Sequence, residues 1–142
     1  MYKDVITVFV QHGEYWYPHV IHNVDVGFTT SQNASSVGDK NLDTFEVLIN
    51  CRPDKKIITA QGEQIYVPPK QYAALLSPVG YITFDCNSTF VYVGAWEDNT
   101  PLSADDFDSG VYHYFRETYD SVYKIHSAAF FSLIPHFELN GK

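Results

Sequence analysis

Positive charge is what this chain has least of. Only nine of its 142 residues are Lys or Arg, against seventeen Asp or Glu, and the formal net charge is −8. The nine are scattered, with no basic run or stripe. A protein that grips nucleic acid electrostatically needs such a stripe, so stable DNA binding is not expected. Charge of either sign is sparse, at 18%, while hydrophobic residues reach 45%. That balance excludes a disordered tail and points to a folded core. Cysteine is nearly absent: Cys51 and Cys86 stand 35 positions apart with no CxxC pair. Metal-ligand spacing is missing, and both read as small buried residues in strands. No run approaches transmembrane length, and Met1-Tyr2-Lys3-Asp4 leads straight into a strand pattern without an apolar h-region. The expectation is a chain kept in the cytoplasm, or in something assembled there, with no membrane partner. In such a chain the sequons at Asn33 and Asn87 carry no meaning.

Reactive groupings are missing as well. There is no GxSxG, HExxH or phosphate-cradling glycine loop. His19 and His22 are three apart, which in a strand sends them to opposite faces. His12, His113, His126 and His136 have no acid or thiol at ligand spacing. The cluster Asp105-Asp106-Asp108 looks like a carboxylate site, but it falls at an expected helix N-terminus, where the helix dipole favours acids. No catalytic residue, metal or cofactor is expected, and the chain does not read as an enzyme.

What is abundant is aromatic: 16% of the chain, with eleven Tyr and ten Phe. Strands and subunit contacts both favour such residues. Tyr81–Trp96 concentrates them. Tyr81-Ile82-Thr83-Phe84 and Thr89-Phe90-Val91-Tyr92-Val93-Gly94-Ala95-Trp96 flank the turn residues Asp85-Cys86-Asn87-Ser88, a hairpin pattern. In the second run Phe90, Tyr92 and Trp96 share one face, and Val91, Val93 and Ala95 the other. A strand apolar on both faces is either central in a closed barrel or sandwich, or covered by a partner subunit.

The remaining pattern is also mostly β. Val5–Val10, Tyr15–Ile21, Val24–Phe28 after a kink near His22-Asn23, Phe45–Cys51, Lys56–Thr59 and Gln64–Val67 read as strands. Pro18 belongs at an edge or bulge because it cannot donate to a ladder. Pro68-Pro69 opens a short helix near 69–76. Ser103, with Asp106 three residues on, marks the start of a longer helix near 104–119, in which Gly110 is a weak point. Val122–Ser127 and Phe130–Ile134 read as a closing hairpin around Ala128-Ala129. The fold class is mainly β: a small β-barrel or sandwich of antiparallel strands plus these two helices, in a single domain, 1–142. Between strands, residues 29–43 are almost wholly polar, about the length at which a structureless connection becomes uncommon and often functional. At the other end Phe137 and Leu139 follow Pro135, an apolar tail that needs a surface, either its own barrel or a neighbouring subunit.

Four segments carry a resemblance: Met1–Val8, Trp16-Tyr17-Pro18, Tyr66–Tyr72 and Leu133–Lys142. Together they resemble a family of small, mostly uncharacterised structural proteins of tailed bacteriophages and prophages. In layout the chain is similar to the head-completion, or stopper, proteins of the phage neck. The resemblance implies a β-barrel assembled as a ring, commonly a hexamer, around the DNA channel of the virion, assembled in the bacterial cytoplasm. Its partners would be copies of itself, the connector or adaptor and tail proteins, with DNA passing through without specific binding. Carried onto this chain, the channel loop would include Thr30, Ser31, Gln32, Asn33, Ser35, Ser36, Asp39 and Lys40. Trp16, Tyr17, Ile134, Phe137 and Leu139 would supply the subunit interface. The alternatives are a tail-terminator or other minor virion protein, and a small β-barrel protein-binding module.

Overall fold

The computed structural model describes residues 3–29 and 44–142. Along the chain these form β1 (Asp4–His12), β2 (Tyr15–Thr29), β3 (Thr44–Asn50), β4 (Lys56–Thr59), β5 (Gly62–Tyr66) and α1 (Pro69–Ala73). Then come β6 (Tyr81–Ile82), β7 (Phe90–Val93), β8 (Leu102–Ser103), a 3-10 turn (Ala104–Asp106), α2 (Val111–Thr118), β9 (Val122–Phe131) and β10 (His136–Gly141). Six strands close into an antiparallel barrel in the order β1-β7-β9-β10-β3-β2, with β2 returning to β1. Closure is the surest way to remove exposed strand edges.

The long strand β2 makes closure possible by serving two neighbours. It pairs with β1 as far as Val24 and with β3 from Asp25 onward. The changeover is a bulge at Asn23, which the ladder skips and whose φ is 58°. Asn is among the few residues that enter the left-handed region readily, so the expected kink has a definite cause. The other side of β2 is covered in pieces. β8 pairs with Tyr15 and Trp16, while the Val20 N–H donates to Gln61 Oε1 and the Val20 carbonyl accepts from the Ala60 N–H. Pro18 falls between these two contacts, where a missing N–H costs nothing.

Side-chain alternation then splits the apolar residues between two cores. Ile6, Val8 and Val10 of β1, with Val91, Ile125, Phe137 and Leu139, fill the barrel. Phe9 and Phe90 point outward and are roofed by α2 through Val111 and Phe115, with Trp16 and Val122 alongside. The Phe115 ring lies 4.8 Å from Phe9 and 5.3 Å from Phe90. The two-faced apolar strand is thus central in a barrel and covered by the chain's own helix.

One end of the barrel is capped by residues 56–84. The β4–β5 hairpin, joined in parallel by β6, forms a small separate sheet. From this segment Ile57, Val67, Tyr72, Ile82 and Phe84 are buried in the barrel core. His12 Nε2 donates to the Leu75 carbonyl at 2.9 Å, tying β1 to the end of the α1 region. The opposite end holds Thr29 and Thr44, the start of β9 and the end of β10.

Neither cysteine is a buried strand residue, since Cys86 is exposed in a turn and Cys51 is half-buried just after β3, and three further expectations differ. Tyr81-Ile82 and Phe90–Val93 do not form a hairpin: β6 joins β5, whereas β7 lies between β1 and β9. The turn at Asp85–Ser88 closes on itself, with Asp85 Oδ1 accepting from the Asn87 N–H. The longer helix begins only at Val111, because Gly110 adopts φ 97° and ends the helical path. Ser103 caps only the 3-10 turn, accepting from the Asp105 N–H at 3.3 Å. Lastly, β9 runs unbroken through Ala128-Ala129, and the hairpin turn lies after Phe131.

Candidate functional site

The capped end carries exposed apolar side chains. The turn between β9 and β10 presents Leu133 and Ile134, 94% and 73% exposed, next to the exposed Phe131. The turn is built rather than loose. His136 stacks on Phe131 with ring centroids 5.1 Å apart, and its imidazole meets the Ile134 carbonyl and Glu138 Oε2. Both contacts favour the imidazolium, the Glu138 hydrogen bond most, and hold His136 above its ordinary pKa. The Cys51 N–H donates to the Pro135 carbonyl and anchors the turn to the end of β3. At the same end Ile58 and Ile65 of the small sheet, with Leu76 and Val79 after α1, are also exposed.

The opposite end bears an open cleft of about 800 Å³ between α2, the start of β9 and the end of β10. Arg116, Lys124, His126 and Lys142 line it, with Asp120 as its carboxylate. Arg116 Nη1 donates to the Tyr112 hydroxyl and to the main-chain oxygens of Val122 and Lys142, at 3.0–3.2 Å. Lys124 Nζ sits 5.6 Å from the centre of the Tyr112 ring. Gly141 permits this packing: a Cβ there would overlap the Lys124 carbonyl oxygen. Residues far apart in sequence thereby bring three of the nine Lys and Arg into one cleft. Sequence reading saw these cations only as scattered, because pairing between β9 and β10 is what gathers them.

The five residues expected at a subunit interface fall into separate places. Trp16 is buried beneath α2, its ring 5.3 Å from Phe90. Phe137 and Leu139 are buried inside the barrel, so the tail docks on its own chain. These three offer no surface to a second copy. Tyr17 is half-buried, and Ile134 stays exposed. The eight channel-loop residues, Thr30 through Lys40, lie outside the described residues.

His19, expected only to face away from His22, is buried. It pairs with Val8 and so faces the barrel interior, 6% exposed. Neither ring nitrogen has a hydrogen-bond partner among the described residues. Burial pushes its pKa down to about 4, which keeps it neutral. His22 is exposed, as the three-residue spacing implies. Among the described residues no three His, Cys, Asp or Glu converge as a metal site. No described helix is long and apolar enough to cross a membrane.

No family model, curated protein or solved structure matches the chain.

Proposed function

We propose that this protein is a structural component of the neck of a tailed bacteriophage or prophage. It acts there as a head–tail connector of the stopper type, in a ring around the DNA channel of the virion. The observation that carries this reading is the built apolar turn. A barrel with two well-filled cores of its own still holds Phe131, Leu133 and Ile134 in water, with Ile58, Ile65, Leu76 and Val79 at the same end. Large apolar side chains held exposed on an ordered turn suit a contact with another protein. Ring subunits need heterologous contacts that close, and an ordered hairpin turn is suited to seat against a neighbour. The residues that meet the neighbour are then Ile134 with Leu133 and Phe131, in place of Trp16, Phe137 and Leu139. The net charge of −8 repels phosphates and lets DNA pass.

The test is complementation. Removing the gene from the phage or prophage that carries it gives heads without tails, or heads that lose DNA, and the intact gene restores infectious particles. A Leu133→Asp/Ile134→Asp gene, whose product keeps the wild-type circular dichroism, fails to restore them. Infectious particles in the absence of the gene, or full rescue by the double variant, overturn the reading.

A further inference from the structure

We infer that the cleft beside α2 binds a nucleotide unit, its cations holding a phosphate and Phe28 stacking on the base. This rests on the cleft alone and stands apart from the neck proposal. The first ground is charge. In a chain of net charge −8 the cleft gathers Arg116, Lys124 and Lys142 against Asp120. Among the described residues Lys124 and Lys142 have no side-chain carboxylate within ion-pair distance, whereas Arg52 and Lys56 are paired with Glu63 and Asp54, and Arg116 meets the main-chain oxygen of Lys142 at 3.2 Å. Converging cations in a concave site create a local positive potential that the rest of the surface opposes.

The second ground is orientation. Arg116 is not a free surface side chain. Three acceptors share the two N–H groups of Nη1, which holds the guanidinium in place with its remaining donors for the oxygens of a phosphate. Lys124 is steadied over the Tyr112 ring. Preorganised cations lose little entropy on binding.

The third ground is the wall. Phe28 is 54% exposed where it lines the cleft, yet it is positioned by Phe45 and Tyr123, with ring centroids 5.9 and 5.6 Å away. Phe45 and Tyr123 are themselves stacked, 4.7 Å apart and nearly parallel. An exposed ring backed by a rigid aromatic pair is the platform on which bases stack. A cleft of about 800 Å³ is within the range of small-ligand sites. Phosphate and base could come from a free nucleotide or from a single strand, and both present the same chemistry to these residues.

Titration of the isotope-labelled full chain with deoxyadenosine monophosphate, followed by NMR, tests this. Saturable shifts are expected at Phe28, Tyr112, Tyr123 and Arg116, with Leu133 and Ile134 unmoved. Inorganic phosphate alone and deoxyadenosine alone each bind at least about tenfold more weakly, since each lacks one half of the recognition. Phe28→Ala weakens the nucleotide about tenfold and leaves inorganic phosphate unchanged, whereas Lys124→Gln weakens both. A short deoxyadenosine oligomer that binds more tightly than the mononucleotide identifies a strand as the source, and equal or weaker binding identifies the free nucleotide. Absence of saturable shifts in the wild-type chain overturns the inference. So does nucleotide binding no tighter than that of inorganic phosphate.

Discussion

Thr7 and Trp96 are tied through one oxygen: Thr7 Oγ1 accepts the Trp96 backbone N–H at 2.9 Å and donates to the Gly94 carbonyl at 2.9 Å. Thr7 is fully buried on the outer face of β1. It therefore completes the ladder where β7 has already ended at Val93, and turns the chain so that Trp96 packs on Phe9 and Phe115. Thr7→Val keeps the shape and removes the hydroxyl, leaving one buried donor and one acceptor unpaired. The expected loss is about 1–3 kcal/mol of stability, read from urea unfolding. Tryptophan fluorescence shifts to the red as Trp96 loosens. Unchanged stability in Thr7→Val would show that water replaces both bonds.

Runs of β-branched and aromatic residues made β1, β2, β3 and β7 legible, because such residues suit strands that bury one face or both. What they could not give is partnership. Tyr81-Ile82 and Phe90–Val93 are both real strands separated by real turn residues, yet each pairs elsewhere, since a parallel two-residue ladder has no local signature. The same limit hid the cleft. Arg116, Lys124 and Lys142 meet only because β10 returns beside β9 and α2 ends above them. Gly110 was legible as a weak point in a helix, but not as its boundary: only a positive φ separates the two. Apolar Phe137 and Leu139 need a surface, but alternation alone does not say whose: the expected subunit interface gives way to the chain's own barrel, closed by β10.

His19 gives stability a pH dependence of definite sign. Its ordinary pKa of 6.5 falls to about 4 in the folded chain because burial opposes the imidazolium. Below pH 6.5 the unfolded chain takes up a proton that the folded chain refuses, so stability declines as pH falls from 6.5 toward about 4. The full loss is roughly 3 kcal/mol. His136 acts oppositely. Its raised pKa adds stability below the unfolded value, which is lost as pH rises through the folded one. Unfolding by urea at several pH values checks both. His19→Leu is expected to flatten the acid limb, while His136→Gln leaves that limb and removes the weaker dependence above it. An acid limb as steep in His19→Leu as in the wild type assigns the loss to other groups.

Thr29 and Thr44 are register partners, so β2 ends and β3 begins side by side. A two-residue Asn-Gly turn, whose twist matches that of the flanking strands, can join them. Replacing residues 30–43 by Asn-Gly is therefore expected to leave the barrel folded. A shorter connection lowers the closure entropy by roughly 1–2 kcal/mol, which is expected to make the variant at least as stable as the parent in thermal unfolding. The same variant separates stability from function. If this segment holds packaged DNA in the channel, particles carrying the shortened chain join heads to tails yet leak DNA, measured as loss of genome from purified particles on standing. Full, infectious particles from a stable shortened chain would confine the role of the protein to joining. A shortened chain that unfolds at lower temperature than the parent would mean that residues 30–43 contribute to the barrel itself.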